Sequence, residues 1–213
     1  SFDITVPKQT DIECSTSYGS IKLANIKGTV KAETSFASID CEDIQGAAQL
    51  ETSYGRITCR NVTSTSLKAE TSFSSIKCDD VQGPVHFQTS YGSINCRDIT
   101  SSDITARSSF GSIDIVCSPS TPPEINANVV TSYGNIDFAA PPGFSGQVDL
   151  STSYASIKTD LPILVKGQLG KEKIRGTIGD GKGKLRLKTS FGSIKIKKGG
   201  SRLAPPCGSC DQS

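Results

Sequence analysis

Nine near-copies of one hexapeptide run through the chain: TSYGSI from Thr16, TSFASI from Thr34, TSYGRI from Thr52, TSFSSI from Thr71, TSYGSI from Thr89, SSFGSI from Ser108, TSYGNI from Thr131, TSYASI from Thr152 and TSFGSI from Thr189. Most copies lie 18 or 19 residues apart. A unit that short cannot bury an apolar face alone, so each must stack on its neighbour, and the chain reads as a solenoid. Because the repeat crosses every domain boundary that the 213 residues suggest, one elongated domain of about nine coils is expected over 1–198. An irregular cysteine-containing tail follows over 199–213.

With the aromatic of each motif as position zero, the residues six before it are Ile12, Val30, Ala48, Leu67, Val85, Ile104, Ala127, Val148 and Leu185, all apolar. Four before it stand Cys14, Ala32, Leu50, Ala69, Phe87, Ala106, Val129, Leu150 and Leu187, whereas Lys31, Gln49, Lys68, His86 and Thr105 fall between them. That alternation is the signature of a strand with one buried face. A small residue after the aromatic marks a corner. An invariant Ile then reopens the inward face, continued two residues on by Leu23, Cys41, Cys59, Cys78, Cys96 and Ile115 and further by Ile26, Ile44, Val62, Val81 and Ile99. Gly28, Gly46 and Gly83 mark a second corner. The expected fold is all-β: a single-stranded right-handed parallel β-helix with coils of about 18 residues, right-handed because parallel crossovers are.

The outward charges fix the coil length. Glu42, Arg60, Asp79 and Arg97 occupy one file, so 18-residue coils set opposite charges side by side whereas 37-residue coils would stack like on like. The regularity fails after Cys117, where Pro119–Pro123 and Pro141–Gly143 lengthen the coils and a basic, glycine-rich loop over 160–184 precedes the last motif. Charge divides in the same place. Through Val165 there are 11 Lys and Arg against 18 Asp and Glu, and from Lys166 onward 12 against 3, which gives a solenoid an acidic and a basic end. The net charge of only +2 argues against a general nucleic-acid binder, and no apolar run is long enough to span a membrane. The absence of Met, the initiator included, fits a processed, secreted chain.

Candidate chemistry is sparse. Cys41, Cys59, Cys78 and Cys96 share one inward file, where thiols act as small hydrophobes; if oxidised, Cys41 would pair with Cys59 and Cys78 with Cys96. Such a linear file lacks the converging ligands of a metal site. Cys207 and Cys210 form a CGSC suited to a tail disulfide or an inter-subunit link. Glu33, Glu51 and Glu70 form an outward file that reads either as an acid/base or cation-binding cluster or, flanked by Lys31 and Lys68, as a solvated mixed-charge face, the preferred reading. His86 is the only histidine, and no triad is available to activate the many serines. The serine column from Ser17 to Ser190 is expected to make corner hydrogen bonds between coils. The aromatic ladder of Tyr18, Phe36, Tyr54, Phe73, Tyr91, Phe110, Tyr133, Tyr154 and Phe191 shares the parity of the buried files, so a stacked interior is expected, with an outward partner-binding stripe as the alternative.

The TS-aromatic-G-S-I repeats, the PPGFSGQVDLSTSYASI stretch and RGTIGDGKGKLRLKTSFGSIKI resemble a bacterial adhesin family, a domain of unknown function, over about residues 1 to 198. The resemblance implies an exported, cell-surface β-helix with no known catalytic residues. The sequence reading is therefore a non-enzymatic structural protein without cofactor or metal, secreted, extracellular or at the cell surface, with the periplasm as a further location. Its expected partner is itself, through head-to-tail assembly of oppositely charged ends into a fibre. The alternative is a monomeric adhesin that binds a glycan or protein through its side face. A polysaccharide-active enzyme using the Glu file is the remote third.

Overall fold

A computed structural model describes residues 4–165 and 172–199. Cys207 and Cys210, with the links expected of them, lie outside the described residues, as does the middle of the 160–184 loop. The fold is all-β, and two strands make each coil. The first coil holds β1 (Ile12–Thr16) and β2 (Ile21–Lys27), the second β3 (Val30–Thr34) and β4 (Ile39–Gln45), the third β5 (Ala48–Thr52) and β6 (Ile57–Thr63). The fourth holds β7 (Leu67–Thr71) and β8 (Ile76–Gln82), the fifth β9 (Val85–Gln88) and β10 (Ile94–Thr100). The sixth holds β11 (Asp103–Arg107) and β12 (Ile113–Cys117), the seventh β13 (Asn126–Val130) and β14 (Ile136–Ala140). These seven coils stack in chain order as two parallel sheets enclosing one apolar core.

Both corners follow from residues that can make them. Inward positions in β2, β4, β6, β8 and β10 fall at the first, third and sixth residues, so two consecutive residues must face out. Asn25, Asp43, Asn61, Asp80 and Asp98 absorb that break with φ between 49° and 58°, the left-handed region that Asn and Asp tolerate. At the aromatic corner the coils approach so closely that a Cβ on Gly92 would lie 1.7 Å from the Ser74 carbonyl oxygen. The file Glu42, Arg60, Asp79, Arg97 is paired strand to strand in register, as an 18-residue coil requires.

The last two motifs depart from chain order. The eighth supplies β15 (Gly146–Ser151) and β16 (Ile157–Thr159); β17 (Leu164–Val165) and β18 (Lys173–Ile178) follow, and the ninth supplies β19 (Gly183–Lys188) and β20 (Ile194–Lys198). The ninth coil lies between the seventh and the eighth: β19 pairs parallel with both β13 and β15, and β20 with both β14 and β16. Stacking in sequence order, implicit in the repeat, is thus corrected at this end. Core continuity accompanies the exchange, since Val129, Leu187 and Leu150 become neighbours in one buried file.

A turn over Gly179 and Gly181, both at positive φ, carries the chain from β18 to β19 across the start of β15. Ser145 fastens it. Its hydroxyl donates to the Asp180 carboxylate and accepts the Asp180 N–H at 3.0 Å, while Lys182 bridges Asp180 at 3.0 Å and Glu124 at 3.1 Å. The Ser145 hydrogen bond, with Lys182 adding to it, holds the Asp180 carboxyl below its ordinary range. Beyond β15 the larger sheet ends in antiparallel β18 and β17, so the described parts of the 160–184 loop close one edge of the rod.

Candidate functional site

The aromatic ladder forms, but outside the core. All nine rings are exposed, the inner seven between 48% and 55% and the end rings Tyr18 and Tyr154 at 78% and 75%. Strand parity, which predicts an interior position, holds only as far as the buried Thr two residues earlier; there the strand ends and the corner turns the next side chain outward. Neighbouring rings stack with centroids 4.7–5.2 Å apart and planes within 7°. Each inner ring covers the faces of its neighbours, which leaves the ring edges to solvent, and only the two end rings expose a face.

In space the ladder reads Tyr18, Phe36, Tyr54, Phe73, Tyr91, Phe110, Tyr133, Phe191, Tyr154. Tyr and Phe alternate without a fault. In chain order the alternation breaks, because Tyr133 is followed by Tyr154 and then Phe191. The out-of-order coil restores it. Tandem duplication of a two-coil unit would produce alternation along the gene, not across a pair of exchanged coils, so the pattern belongs to the assembled surface.

The corner is held from beneath by threonine. In successive coils Thr34, Thr52, Thr71, Thr89, Ser108, Thr131, Thr189 and Thr152 each donate a hydroxyl hydrogen bond to the carbonyl one residue past the aromatic of the preceding coil, at 2.9–3.2 Å. Six of the nine motifs also use this hydroxyl to accept the N–H three residues on, as Gly92 donates to Thr89 at 3.2 Å. The serine column makes the corner hydrogen bonds between coils expected of it, but through the backbone rather than the side chain. The serine carbonyl accepts the next aromatic N–H, as in Tyr91 to Ser72 at 2.9 Å, and its hydroxyl is left out of that ladder. The ridge is therefore flanked by Ser17, Ser35, Ser53, Ser72, Ser90 and their equivalents on one side. On the other run Ser20, Ser38, Ser75, Ser93 and Ser112, with Arg56 the one charge among these corner residues.

The other candidates resolve into structural parts. Cys41, Cys59, Cys78 and Cys96 are paired in register, free, and at most 3% exposed. Burial and then Cys59 push the Cys41 thiol up, contact with Cys78 and then burial push Cys59 up, and burial alone takes Cys117 to about 12. Thiols so raised are poor nucleophiles.

Glu33, Glu51 and Glu70 lie in register on the outer face of the larger sheet. Lys68 bridges Glu51 at 3.4 Å and Glu70 at 3.0 Å, and His86 lies 3.8 Å from Glu70. The Gln49 amide, with Lys68 adding, holds the Glu51 carboxyl below its ordinary range, which favours the ionised form over a proton donor. Among the described residues no group of His, Cys, Asp or Glu is arranged to hold a metal ion, and no helix is long and apolar enough to cross a membrane. Two shallow depressions, around Lys27 and Asp43 and around Asp79 and Arg97, do not involve the ridge.

Together these features define a repeat protein of the β-solenoid class in which nine of the twelve exposed large apolar side chains among the described residues form one stacked aromatic edge. The chain belongs to the Toastrack DUF4097 family, whose sequence model matches residues 1–197, and that family is a domain of unknown function. No curated protein and no solved structure matches it.

Proposed function

We propose that this chain is a non-enzymatic, secreted or surface-exposed recognition rod whose aromatic edge is the contact surface for an extended partner. One observation carries the proposal: nine stacked rings, each 48% or more exposed, form a single uninterrupted ridge of the kind that a soluble protein would otherwise bury. The rings require no cleft and no cofactor. Stacking fixes their rotamers before any partner arrives, which lowers the entropy cost of contact. Many weak, equally spaced contacts also give avidity to a polymer.

End-to-end association is a second reading, favoured by β1 and β2, which are the outermost strands of their sheets at the first coil. Its head-to-tail form is weakened because β18 and β17 present an antiparallel edge at the opposite end of the larger sheet.

The test is an array of glycans and extended peptides probed with the labelled protein and with a variant carrying Phe73→Ser, Tyr91→Ser and Phe110→Ser. Binding that the variant loses supports the ridge. Binding that it retains, or none at all, removes it.

A further inference from the structure

We infer that the ridge takes a neutral β-1,4-linked glycan chain; the inference rests on the ridge being the contact surface. Three observations lead there. The first is period. One coil repeats the backbone, but the surface repeats only every second coil, because hydroxyl-bearing Tyr alternates with Phe. Two coil spacings place the tyrosine hydroxyls about 10 Å apart. The buried file beneath shares the two-coil period from Ala32 through Leu50, Ala69 and Phe87 to Ala106, but it loses that period at Val129, Leu187 and Leu150, whereas the exposed rings keep their alternation across the exchanged coils. In an extended β-1,4-linked glycan each pyranose is turned over relative to the last, so every second sugar presents the same edge, at a spacing close to that of the tyrosines.

The second is polarity. An aromatic ring is negative on its faces and positive at its edge, so a ridge of edges attracts oxygen atoms rather than cations. Serines line both flanks of the corner, where Arg56 is the one charge, and the nearest charged file beyond them is partly neutralised by Lys68 on Glu51 and Glu70, which fits a polyol better than an ionic polymer or a hydrocarbon chain.

The third is shape. A polyproline II peptide has a three-residue turn of about 9.3 Å, also near the tyrosine spacing, but it is recognised by prolines seated in aromatic-lined grooves. Here the faces of the inner rings are taken up by their neighbours and the feature is convex. A β-strand, with a two-residue repeat of about 6.6 Å, does not keep step.

The experiment uses the full chain in co-sedimentation with chitin and cellulose, and in calorimetry with soluble chito- and cello-oligosaccharides of increasing length. Amylose, a β-1,3-glucan and a proline-rich peptide serve as comparisons. A variant with Phe at Tyr18, Tyr54, Tyr91, Tyr133 and Tyr154 keeps the stack and removes every ridge hydroxyl. Binding to one of the β-1,4 polymers, with affinity rising in two-sugar steps and falling at least tenfold in the Tyr→Phe variant at unchanged melting temperature, is expected. Equal binding to all linkages, or undiminished binding by the variant, overturns the glycan assignment. Peptide binding that depends on Phe73, Tyr91 and Phe110 overturns the glycan while sparing the ridge. Absence of ridge-dependent binding to every probe overturns both.

Discussion

Replacing Thr89 by valine removes a hydroxyl that serves two backbone groups while keeping the side chain's shape. In the native coil that hydroxyl donates to the Ser74 carbonyl at 3.0 Å and accepts the Gly92 N–H at 3.2 Å, and Thr89 itself is 3% exposed. No described backbone N–H reaches the Ser74 oxygen, so the substitution strands one acceptor and one donor at the most closely approached part of the corner. An unsatisfied buried polar group costs about 1–3 kcal/mol; two of them at a partly buried corner give a loss of about 2–4 kcal/mol. Thr89→Ser keeps the hydroxyl and loses one methyl, and the next coil already uses Ser108 in this role, at 3.1 Å to Gly92 O and 2.9 Å from Gly111 N. Its cost is expected below about 1 kcal/mol. Equilibrium urea unfolding followed by circular dichroism reads the difference: a lower midpoint at unchanged slope for Thr89→Val and a near-native curve for Thr89→Ser. Equal midpoints for Thr89→Val and the native chain would refute the threonine ladder as the clasp of the corner.

Phe87 is fully buried at mid-rod, and Phe87→Ala is expected to cost about 3–5 kcal/mol by calorimetry, as for other core phenylalanines. Tyr91 stacks on Phe73 and Phe110, so Tyr91→Ala should cost about 1–3 kcal/mol while Tyr91→Phe is neutral, a contrast that urea unfolding detects. The raised thiols predict alkaline sensitivity. A group whose folded value lies above its unfolded value stabilises fully below the unfolded value and ceases to do so as pH rises through the folded one, so stability should fall from about pH 9 to about pH 12. Melting temperatures over that range should fall less steeply in a Cys41→Ala, Cys59→Ala, Cys78→Ala variant, and identical profiles would contradict the assignment.

The coil was legible in the sequence because its signals are periodic and local. The apolar files at Val30 and Ala32, the reset at Ile39 and the charge file from Glu42 to Arg97 each specify backbone direction, and the structure follows them. The ring position was misread for a physical reason: alternation has meaning only within a strand, and the corner after Thr34 or Thr71 resets it. The left-handed Asp43 and Asn61 reset it again, a signal present as an Asn or Asp every 18 or 19 residues. The exchanged coil was hidden because neither β18 nor β19 announces that β15 will lie between them. The glycine turn at Gly179 and Gly181 suggests a direct hairpin instead. The broken Tyr and Phe alternation at Tyr133, Tyr154 and Phe191 was the available clue.

The account rests most on the exchange of coils, since it completes the alternating ridge. Oxidative cross-linking tests it directly in a chain with Cys14→Ser, Cys207→Ser and Cys210→Ser, which removes the partly buried Cys14 thiol and leaves the buried thiols Cys41, Cys59, Cys78, Cys96 and Cys117. Asn126 is in register with Lys184, and Lys184 with Gln147, all three exposed. Cysteines at 126 and 184 therefore sit about 4.8 Å apart between Cα atoms, within disulfide range, whereas cysteines at 126 and 147 are separated by an intervening strand. The account predicts rapid disulfide formation for the 126 and 184 pair and none for the 126 and 147 pair. The reverse result would return the coils to chain order and break the ridge.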